Sequence, residues 1–360
     1  MPVRARTAVV VCDQWLGSNG YAGMKALRRA GWVVSVVPEW EYIPVKAATF
    51  SMRAIGRLVR PLAVREFNNA LASEARACRA DLLLVFKGRF VSADALRAIT
   101  TGGTLAYCFF PDNSFRAHGP YLPVALPLYD WVYTAKSFGL RDMKEQLGLT
   151  NTSLLLHGFD ADLHRPVPLT PDDQCEFGAD VSFIGTWSRK KERYLSALAA
   201  ARPELKLRIW GASWTNCRSA TLRDLANAAV TVVGERYVRA IRASKINLAI
   251  LSERRGGSSS DDQITSRTFH IPASGGFMLH ERTPEVLGVL RENLEIGCFG
   301  DEMEMISAVD QWLAQPEERE AVAAAGHRAV VECHSWDDRI RIIVEDHNQR
   351  RMQPTVDGRA

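Results

Sequence analysis

The sequence predicts an α/β protein made of two Rossmann-like domains, each with a parallel β-sheet, that face each other across a cleft. Three observations carry this prediction. At 360 residues, the chain is long for one compact core. Short apolar runs alternate with helix-length segments, which is the pattern of a parallel sheet covered by helices on both faces. The alternation stops once, at a proline-rich stretch, and then begins again.

The first half of the chain contains six short runs that we predict to be β-strands. They are apolar and rich in β-branched or aromatic side chains, as expected for the buried strands of a parallel sheet. The predicted strands are Ala8–Cys12, Trp32–Val37, Asp81–Phe86, Thr104–Phe109, Trp131–Thr134 and Ser153–His157. Helices are predicted at Tyr21–Ala30, which Gly31 would end, and at Glu66–Arg79.

The stretch Arg165–Asp173 (RPVPLTPDD) separates the two halves. It contains three prolines and two consecutive acids. Because proline lacks a backbone donor and opposes helix formation, we predict an interdomain linker at 166–176. The predicted domains are then 1–165 and 177–335, and a final helix with a polar tail occupies 336–360.

The second half repeats the alternation of strands and helices. The predicted strands are Asp180–Ile184, Leu205–Trp210, Val230–Val233, Ile246–Leu251 and Phe277–Leu279. The predicted helices are Lys190–Ala201, Ala220–Ala228, Arg236–Ala243, a short helix from Arg267, Glu302–Gln315, Pro316–Cys333 and Trp336–Asn348.

Composition excludes several classes of protein. An apolar fraction of 47% and a charged fraction of 24% are those of an ordinary globular protein. The net charge of +4 suits an anionic ligand or an anionic membrane surface but is too weak for nucleic-acid binding. The seven cysteines are scattered, without a C-x-x-C pair, which argues against disulfides and zinc and for a reducing compartment. No run approaches the roughly 20 apolar residues that span a bilayer, so we expect a soluble, cytoplasmic protein.

The first motif with chemical content is Asp180–Lys191 (DVSFIGTWSRKK). A buried strand ends at Gly185, and three basic residues open the next helix. Ligands of open α/β sheets bind beyond the carboxyl ends of strands. A glycine there permits close approach of the backbone to the ligand. Free backbone amides and cationic side chains can then bind a diphosphate. The alternative is a solvated basic first turn. Positive charge there opposes the helix macrodipole, so binding is slightly favoured.

The second motif is Asp261–Phe277. Ser266 can cap a short helix, Arg267 lies in its first turn, and the paired glycines at 275–276 turn the chain into an apolar strand. The Gly/Ser-rich loop Glu253–Ser260 before it is expected to be mobile. The motif therefore suits an anion, but a flexible loop followed by an ordinary capped helix explains it equally well.

An arginine series lies in the first half, with apolar residues between its members. It consists of Arg53, Arg57, Arg60 and Arg65. A basic amphipathic segment of this kind can make a weak peripheral contact with an anionic membrane. We favour a solvated helix face, which we expect Pro61 to interrupt.

The segment Ser266–Arg282 (SRTFHIPASGGFMLHER) resembles the donor-site motif of the spore-maturation (CgeB-like) glycosyltransferases. Four more segments resemble the same family: Phe110–Phe115 (FPDNSF), Gly158–Pro166 (GFDADLHRP), Ser244–Leu248 (SKINL) and His334–Arg339 (HSWDDR). The resemblance runs in order through the chain and is densest in the C-terminal half. It implies the GT-B fold of family-4-type retaining glycosyltransferases, with acceptor on the first domain and nucleotide-sugar on the second. No metal or cofactor is expected, since the nucleotide-sugar is a co-substrate.

The same resemblance assigns the phosphate site. Gly185 and Thr186 would lie under the diphosphate, and Arg189 and Lys190 would neutralise its charge. The amides around Ser266–Thr268, including that of Arg267, would complete the site.

The ribose and sugar positions depart from the family pattern. His270 stands where the family has a glutamate for the ribose hydroxyls, and histidine accepts through one ring nitrogen only when neutral. Asp262 is the acid nearest to the upstream glutamate of the motif and is a candidate for the sugar hydroxyls.

By analogy of fold, the base would lie between the loops that follow two strands of the second domain. Gly211 lies in one of these loops and Glu235 in the other. Trp214 and Tyr237 are candidates either for stacking on the base or for packing in the core.

The first domain offers candidates for acceptor chemistry. If the reaction inverts the anomeric centre, a base must take the acceptor proton, and Asp13, Asp112 and His118 are the candidates. If it retains configuration with help from the leaving phosphate, as the resemblance implies, no protein nucleophile is needed. The acceptor can be a glycan, a lipid-linked molecule, a small molecule or a protein.

Other function classes remain open or are disfavoured. An NAD-dependent oxidoreductase needs G-x-G-x-x-G after the first strand, whereas Gly17, Gly20 and Gly23 are spaced by three. No phosphate-binding loop of the ATPase type is present. A non-catalytic nucleotide-sugar-binding protein and a nucleotide-sugar epimerase of the same fold remain alternatives.

Overall fold

A computed structural model describes residues 4–43, 50–226 and 231–352, and of residues 50–58 it describes the backbone alone. Packing divides the chain into two units. Unit 1 runs to Leu156 and also includes Arg255–Ser260 and the chain from Trp336 onward. Unit 2 comprises His157–Arg254 and Asp261–Ser335.

The strands are short and all pair in parallel. In chain order they are β1 (Thr7–Val11), β2 (Val33–Val36), β3 (Leu82–Phe86), β4 (Leu105–Phe110), β5 (Trp131–Thr134), β6 (Thr152–Leu154), β7 (Ala179–Ile184), β8 (Leu207–Trp210), β9 (Ser244–Ala249), β10 (Met278–Glu281) and β11 (Gly297–Phe299). The first six form the sheet of unit 1, in the order β2-β1-β3-β4-β5-β6. The other five form the sheet of unit 2, in the order β11-β10-β9-β7-β8.

Helices connect the strands. In chain order they are α1 (Asn19–Arg29), α2 (Glu39–Tyr42), α3 (Phe50–Ala77), α4 (Ala93–Thr100), α5 (Tyr121–Ala125), α6 (Ser137–Leu147), α7 (Pro171–Phe177), α8 (Arg189–Ala201), α9 (Ala220–Leu225), α10 (Glu235–Arg242), α11 (Arg267–Ala273), α12 (Pro284–Leu287), α13 (Glu302–Ala314), α14 (Pro316–Cys333) and α15 (Trp336–Met352). Single 3₁₀ turns lie at Arg116–His118, Leu126–Leu128 and Trp214–Asn216. No helix within the described residues is long and apolar enough to cross a bilayer.

Both faces of the unit 1 sheet are buried, as the apolar strands require. Because successive side chains of a strand point to opposite faces, Val9 and Val11 pack with α3 and α4, whereas Ala8 and Val10 pack with α1 and α15. The final helix α15 thus completes the core of unit 1, with Trp336 buried against the sheet.

The core of unit 2 is built in the same way. Val181 and Phe183 of β7 pack with side chains of α8 and α13. Helix α8 begins where it does because the side chain of its N-cap residue, Ser188, accepts a hydrogen bond from the amide of Lys191. This cap fixes the turn between β7 and α8, which is the turn of the first predicted phosphate motif.

The observed boundaries differ from the predicted ones. The first unit ends at Leu156 rather than at residue 165, and residues 166–176 lie inside unit 2. Residues predicted as linker form most of α7, which begins at Pro171. Its N-cap Thr170 and its third residue, Asp173, form a reciprocal capping box.

Two predicted elements differ in detail. The predicted strand Val230–Val233 is not a strand over residues 231–233, and Val230 lies outside the described residues. Pro61 does not interrupt the arginine-bearing segment, because α3 continues through it. The side chains of Arg53 and Arg57 lie outside the described residues, while Arg60 and Arg65 are exposed, as a solvated face requires.

The loop Glu253–Ser260, expected to be mobile, makes specific contacts. Its residues Arg255–Ser260 belong to unit 1. The hydroxyl of Ser114 donates to the carbonyl of Gly256 over 2.7 Å. The amide of Ser259 donates to the Asp142 carboxylate over 2.9 Å. These bonds give the loop a defined position on unit 1.

Candidate functional site

The order of the strands locates the candidate site of unit 2. From β7, the chain moves to β8 on one side, and then to β9, β10 and β11 on the other. Ligands of open α/β sheets bind outside the carboxyl ends of the strands at such a reversal of order. The expected ligand position is therefore the edge where β7 and β9 end side by side.

The backbone is close-packed at this edge. Gly211 has a φ of +138°, and a Cβ atom placed on it would lie 2.2 Å from the carbonyl oxygen of Gly185. That oxygen also accepts a hydrogen bond from the indole of Trp214 over 2.9 Å. Trp214 is fully buried and is a packing residue, so it is not available to stack on a base. Only glycine fits at position 211.

Arg267 fills the space beside Gly185. A Cβ atom on Gly185 would lie 2.9 Å from Nη1 of this guanidinium. Its Nη2 donates to the carbonyl of Ile250, just beyond β9, over 2.8 Å, and its Nη1 lies 3.5 Å from the carbonyl of Ile184 at the end of β7. The guanidinium also lies 5.5 Å above the ring of Phe183. Arg267 therefore bridges β7 and β9 at the reversal of strand order.

The positive charge of Arg267 is offset only in part, because burial outweighs the favourable influence of Tyr237 and Asp262 on its pKa. In the part of the chain that the structure describes, it forms no ion pair, and its Nε is buried without a hydrogen-bond partner. Burial lowers the pKa of Arg267 from its ordinary value. A partly desolvated cation whose hydrogen bonds go only to carbonyl groups is poised to bind an anion.

The three basic residues at the start of α8 have three different environments. Arg189 is exposed. Lys190 places its Nζ 2.5 Å from the Glu281 carboxylate, so its charge is already balanced. Lys191 is buried, and its Nζ donates to the carbonyl of Thr186 over 3.1 Å and to Ser252. Of the two cations predicted to neutralise a diphosphate, only Arg189 is unpaired in the described structure.

The predicted cap and one of the predicted phosphate-binding amides around Ser266 require a correction. Ser266 precedes α11 with helical angles, φ −59° and ψ −30°, and its side chain makes no capping hydrogen bond. The amide of Thr268 donates to the carbonyl of Thr265 over 3.1 Å, so it is not free for a phosphate. The short helix is therefore not capped as predicted, and the guanidinium of Arg267 offers the stronger anion contact.

Thr268 has a structural role instead. Its hydroxyl is fully buried and lies 3.0 Å from Nε2 of His280, whose Nδ1 lies 2.7 Å from the carbonyl of Glu281. Because a carbonyl oxygen only accepts, the Nδ1–H of His280 donates to it, and Nε2 accepts from Thr268. Burial lowers the pKa of His280 to about 4, which keeps the ring neutral.

His270 lies in an aromatic cluster. Its ring stacks on that of His164, with centroids 4.0 Å apart and an interplanar angle of 16°. The ring of Tyr237 meets both histidines edge-on, at 5.8 and 6.0 Å. Nε2 of His270 lies 3.3 Å from the carbonyl of Gly158. Tyr237 therefore packs in the cluster.

The tautomer of His270 follows from these contacts. Its Nε2–H donates to the Gly158 carbonyl, and burial lowers its pKa to about 4, so the ring is neutral near pH 7. The unprotonated Nδ1 is then an acceptor, the form that a ribose hydroxyl would need. Asp262 is also buried, and its amide donates to the carbonyl of Ser252 over 3.0 Å.

Acid should destabilise the fold through the buried histidines. The pKa of His270 is lowered to about 4 from 6.5, so between these values the unfolded chain binds a proton that the folded chain rejects. The free energy of unfolding must therefore fall as the pH falls from about 6.5 toward 4. We expect His270→Gln to reduce the difference in the free energy of unfolding between pH 7 and pH 5 by roughly 1–3 kcal/mol, measured by denaturant unfolding. His327→Gln, at a partly buried histidine, is the control, and equal pH slopes in wild type and His270→Gln would contradict the prediction.

The other predicted base-site residue, Glu235, opens α10. Its carboxylate is largely exposed and lies 3.7 Å from the guanidinium of Arg239. The preceding Gly234 has a φ of +59°, which lets the chain turn sharply into the helix.

Unit 1 brings together two of its three predicted acid–base residues. The Asp112 carboxylate, just beyond β4, lies 2.8 Å from Nε2 of His118 and 2.6 Å from Nζ of Lys87. Burial alone would raise the pKa of Asp112, but these two contacts outweigh it and hold that pKa well below its usual range. Asp112 therefore stays ionised and orients His118 rather than accepting a proton itself. Asp13 follows β1 and makes no ion pair in the described residues.

Glu39 is a further candidate site residue, beyond those predicted from the sequence. It opens α2 just after β2, and its Oε1 accepts a hydrogen bond from the amide of Phe90 over 3.0 Å. Burial, with a smaller contribution from the charge of Asp13, raises the pKa of Glu39 to about 7. Strongly shifted carboxylates are concentrated at functional sites. The sequence does contain a signal for Glu39. Both Glu39 and Asp13 follow predicted strands, and residues that follow parallel strands lie at the same edge of the sheet.

Comparison with known proteins agrees with this architecture. The structure superposes on sucrose-phosphate synthase from Thermosynechococcus elongatus with a TM-score of 0.66, at 12% identity, covering 96% of this chain and 99% of that one. The fold is GT-B. A glycosyltransferase from Rickettsia africae has the same GT-B fold, with a TM-score of 0.65, 12% identity, and 98% and 100% of the two chains covered.

A third GT-B structure carries a ligand. The Anabaena protein Alr3699/HepE, solved in complex with UDP-glucose, is similar with a TM-score of 0.64 and 12% identity, covering 95% of this chain and 99% of that one. Residues 189–345 match the glycosyl transferase-like family. No curated protein matches the sequence. The fold and the family match together support a glycosyltransferase.

Proposed function

We propose that the protein is a glycosyltransferase that binds a nucleotide-diphosphate sugar in unit 2 and transfers the sugar to an acceptor bound by unit 1. The observation that carries this proposal is the guanidinium of Arg267, which lies at the carboxyl ends of β7 and β9 without a carboxylate partner in the described residues. The match of 189–345 to a glycosyl transferase-like family and the UDP-glucose bound by HepE support the same donor class.

Each part of the donor has a candidate partner in unit 2. The diphosphate would contact Arg267 and Arg189, with Gly185 beneath it. The ribose hydroxyls would donate to the free ring nitrogen of His270. The sugar hydroxyls would contact Asp262.

The proposed chemistry depends on stabilising the leaving group. When the bond between the sugar and the diphosphate breaks, negative charge develops on the nucleoside diphosphate, and fixed cations beside it lower the barrier. Since Arg267 and Arg189 can supply this charge, we propose a reaction that does not depend on a metal ion. The resemblance to CgeB-like enzymes makes a hexose donor and a retaining outcome the more specific proposal.

The acceptor proton has two proposed destinations. In a retaining reaction assisted by the leaving phosphate, a phosphate oxygen takes the proton of the acceptor hydroxyl as the new glycosidic bond forms. In an inverting reaction a protein base takes it, and His118, oriented by Asp112, is the best-placed candidate. The anomeric configuration of the product decides between the two.

The donor proposal is tested by incubating the full chain with UDP-, GDP- and dTDP-sugars. We expect one of them, at about 100 times its Kd, to raise Tm by about 2–5 °C and to release its nucleoside diphosphate slowly. EDTA should not change the result. No binding at millimolar concentration would contradict the proposal, whereas tight binding without hydrolysis or transfer would favour a non-catalytic binding protein.

A further inference from the structure

A cavity lies at the edge of the unit 2 sheet opposite the proposed donor site. Its volume is about 860 Å³, and it is lined by the residues where β7 and β9 begin, by the turn between α11 and β10, and by α14. Because all five strands are parallel, the edge where they begin is far from the carboxyl ends that carry Arg267. The cavity is therefore separate from the proposed donor site. Its volume is that of a pocket for a small molecule.

Arg319, in the first turn of α14, is one of the cavity's two unpaired arginines. Its side chain is only 8% exposed. In the described residues its side chain makes one hydrogen bond, to the carbonyl of Trp312 over 2.5 Å, and forms no ion pair. Burial lowers its pKa. A cation in the first turn of a helix opposes the macrodipole, so helix stability does not explain its position.

Arg242, at the end of α10, is the second arginine of the cavity wall. Its Nη1 donates to the carbonyl of Gly275 over 2.8 Å, which holds the guanidinium in place. Its Nε is buried without a hydrogen-bond partner, and the described residues supply no carboxylate to pair with it. An arginine with an unused donor, held rigid by a backbone carbonyl, is preorganised for an anionic ligand.

The other charged residues of the cavity do not neutralise the two arginines. Lys245 pairs with Asp180 over 2.7 Å, so these two charges cancel. Lys206 adds another cation to the lining, and the acid Glu320 is exposed. Three cations thus face one exposed carboxylate. A phosphate group carries up to two charges and three acceptor oxygens, and can accept from two guanidinium groups at once.

We propose that this cavity binds a small phosphorylated metabolite through Arg242 and Arg319. The ligand's phosphate accepts N–H bonds from the two guanidinium groups, and the rest of the molecule occupies the space between α14 and the turn after α11. Helix α11 connects the two sites. Its first residue is Arg267, and near its last residue the carbonyl of Pro272 accepts a hydrogen bond over 3.0 Å from Nδ1 of His327, which lines the cavity.

The test is a titration of the full chain at constant ionic strength, followed by thermal unfolding and calorimetry. The probes are glucose 6-phosphate and inorganic phosphate, with glucose and succinate as comparisons. We expect glucose 6-phosphate to stabilise the protein, and Arg319→Met and Arg242→Gln to weaken its binding at least tenfold each. Arg223→Gln, which removes an exposed arginine outside the cavity, should bind normally.

A second pair of variants tests the proposal without replacing a buried arginine, whose loss could unfold the protein. Ala324 is exposed on the cavity wall, so Ala324→Glu should repel the phosphate while Ala324→Gln should not. Arg267→Met should leave the response intact. Three results would each overturn the proposal: no response to either phosphate probe, an equal response to succinate, or a response lost in Arg267→Met but kept in the cavity variants.

Discussion

Arg267→Met should weaken donor binding about 100-fold while leaving the unliganded protein about as stable as wild type. The guanidinium donates hydrogen bonds only to two carbonyl oxygens, and in the described residues it forms no ion pair with a carboxylate. Burial lowers its pKa. A methionine of similar length removes the desolvation cost of this buried cation, which offsets the loss of its hydrogen bonds to the two carbonyls. Loss of a charged hydrogen-bond donor to a diphosphate costs about 2–3 kcal/mol or more, which weakens the affinity by about 100-fold.

The measurement is calorimetric titration with the nucleoside diphosphate of the active donor, alongside Tm of the free protein. Lys190→Met is the matched comparison, because it removes a cation that already pairs with Glu281. It should lower Tm and change the affinity less than Arg267→Met does. Unchanged nucleotide affinity in Arg267→Met would contradict the assignment, and a large loss of Tm in that variant would mean that Arg267 is structural.

The contrast between these two cations shows what the sequence could predict. The turn from β7 into α8 is encoded locally, by an apolar run, Gly185 and the capping Ser188, and it was predicted within one residue. The partners of the cations are not local. Lys190 and Glu281 are 91 residues apart, and Arg267 contacts a carbonyl 83 residues away. A sequence displays the charges but not which of them the fold neutralises, so it does not show that, in the described residues, Lys190 is paired and Arg267 is not.

The predicted linker failed for a different reason. Residues 166–176 were assigned from their prolines, yet Thr170, Pro171 and Asp173 are the N-cap, first and third residues of a capped helix. Proline is favoured at the first position of a helix, where no donor is needed. The signal was therefore present in the sequence and was interpreted as a helix breaker.

The short edge strand β11 was not predicted. It spans only Gly297–Phe299 and contains a glycine, so local β-propensity barely distinguishes it from a loop. It forms because its backbone pairs with β10, with Cys298 opposite His280. Pairing of this kind is a tertiary effect that the local pattern does not reveal.

Glu39→Gln should stabilise the protein at alkaline pH. The folded-state pKa of Glu39 is about 7, above its ordinary value of 4.5, so the folded chain binds a proton more tightly than the unfolded chain does. The free energy of unfolding attributable to this group is highest at low pH and falls as the pH rises from about 4.5 to 7. Glutamine imitates the protonated carboxyl and does not titrate. We expect a gain of roughly 1–3 kcal/mol at pH 8 and less than about 1 kcal/mol at pH 5.

Denaturant unfolding of wild type and variant at pH 5 and pH 8 measures this gain. Glu66→Gln is the matched control, because Glu66 is exposed on α3 and the substitution removes the same charge. The control should show no comparable gain at pH 8. If Glu39→Gln is less stable than wild type at pH 8, the pKa of this carboxyl is not raised.

The same variant also tests whether Glu39 has a function. A carboxylate that lowers stability near neutral pH is expected to persist where function needs it, since activity and stability are commonly opposed at such positions. Glu39 follows β2, and its pKa responds to the charges of Asp13 and Lys87, which follow β1 and β3 at the same sheet edge. We therefore expect Glu39→Gln to slow sugar transfer about tenfold or more while nucleotide affinity in unit 2 stays unchanged. If Glu39→Gln is less stable but transfers sugar at the wild-type rate, Glu39 has a structural role. If the variant is more stable and transfers sugar more slowly, Glu39 belongs to the acceptor site.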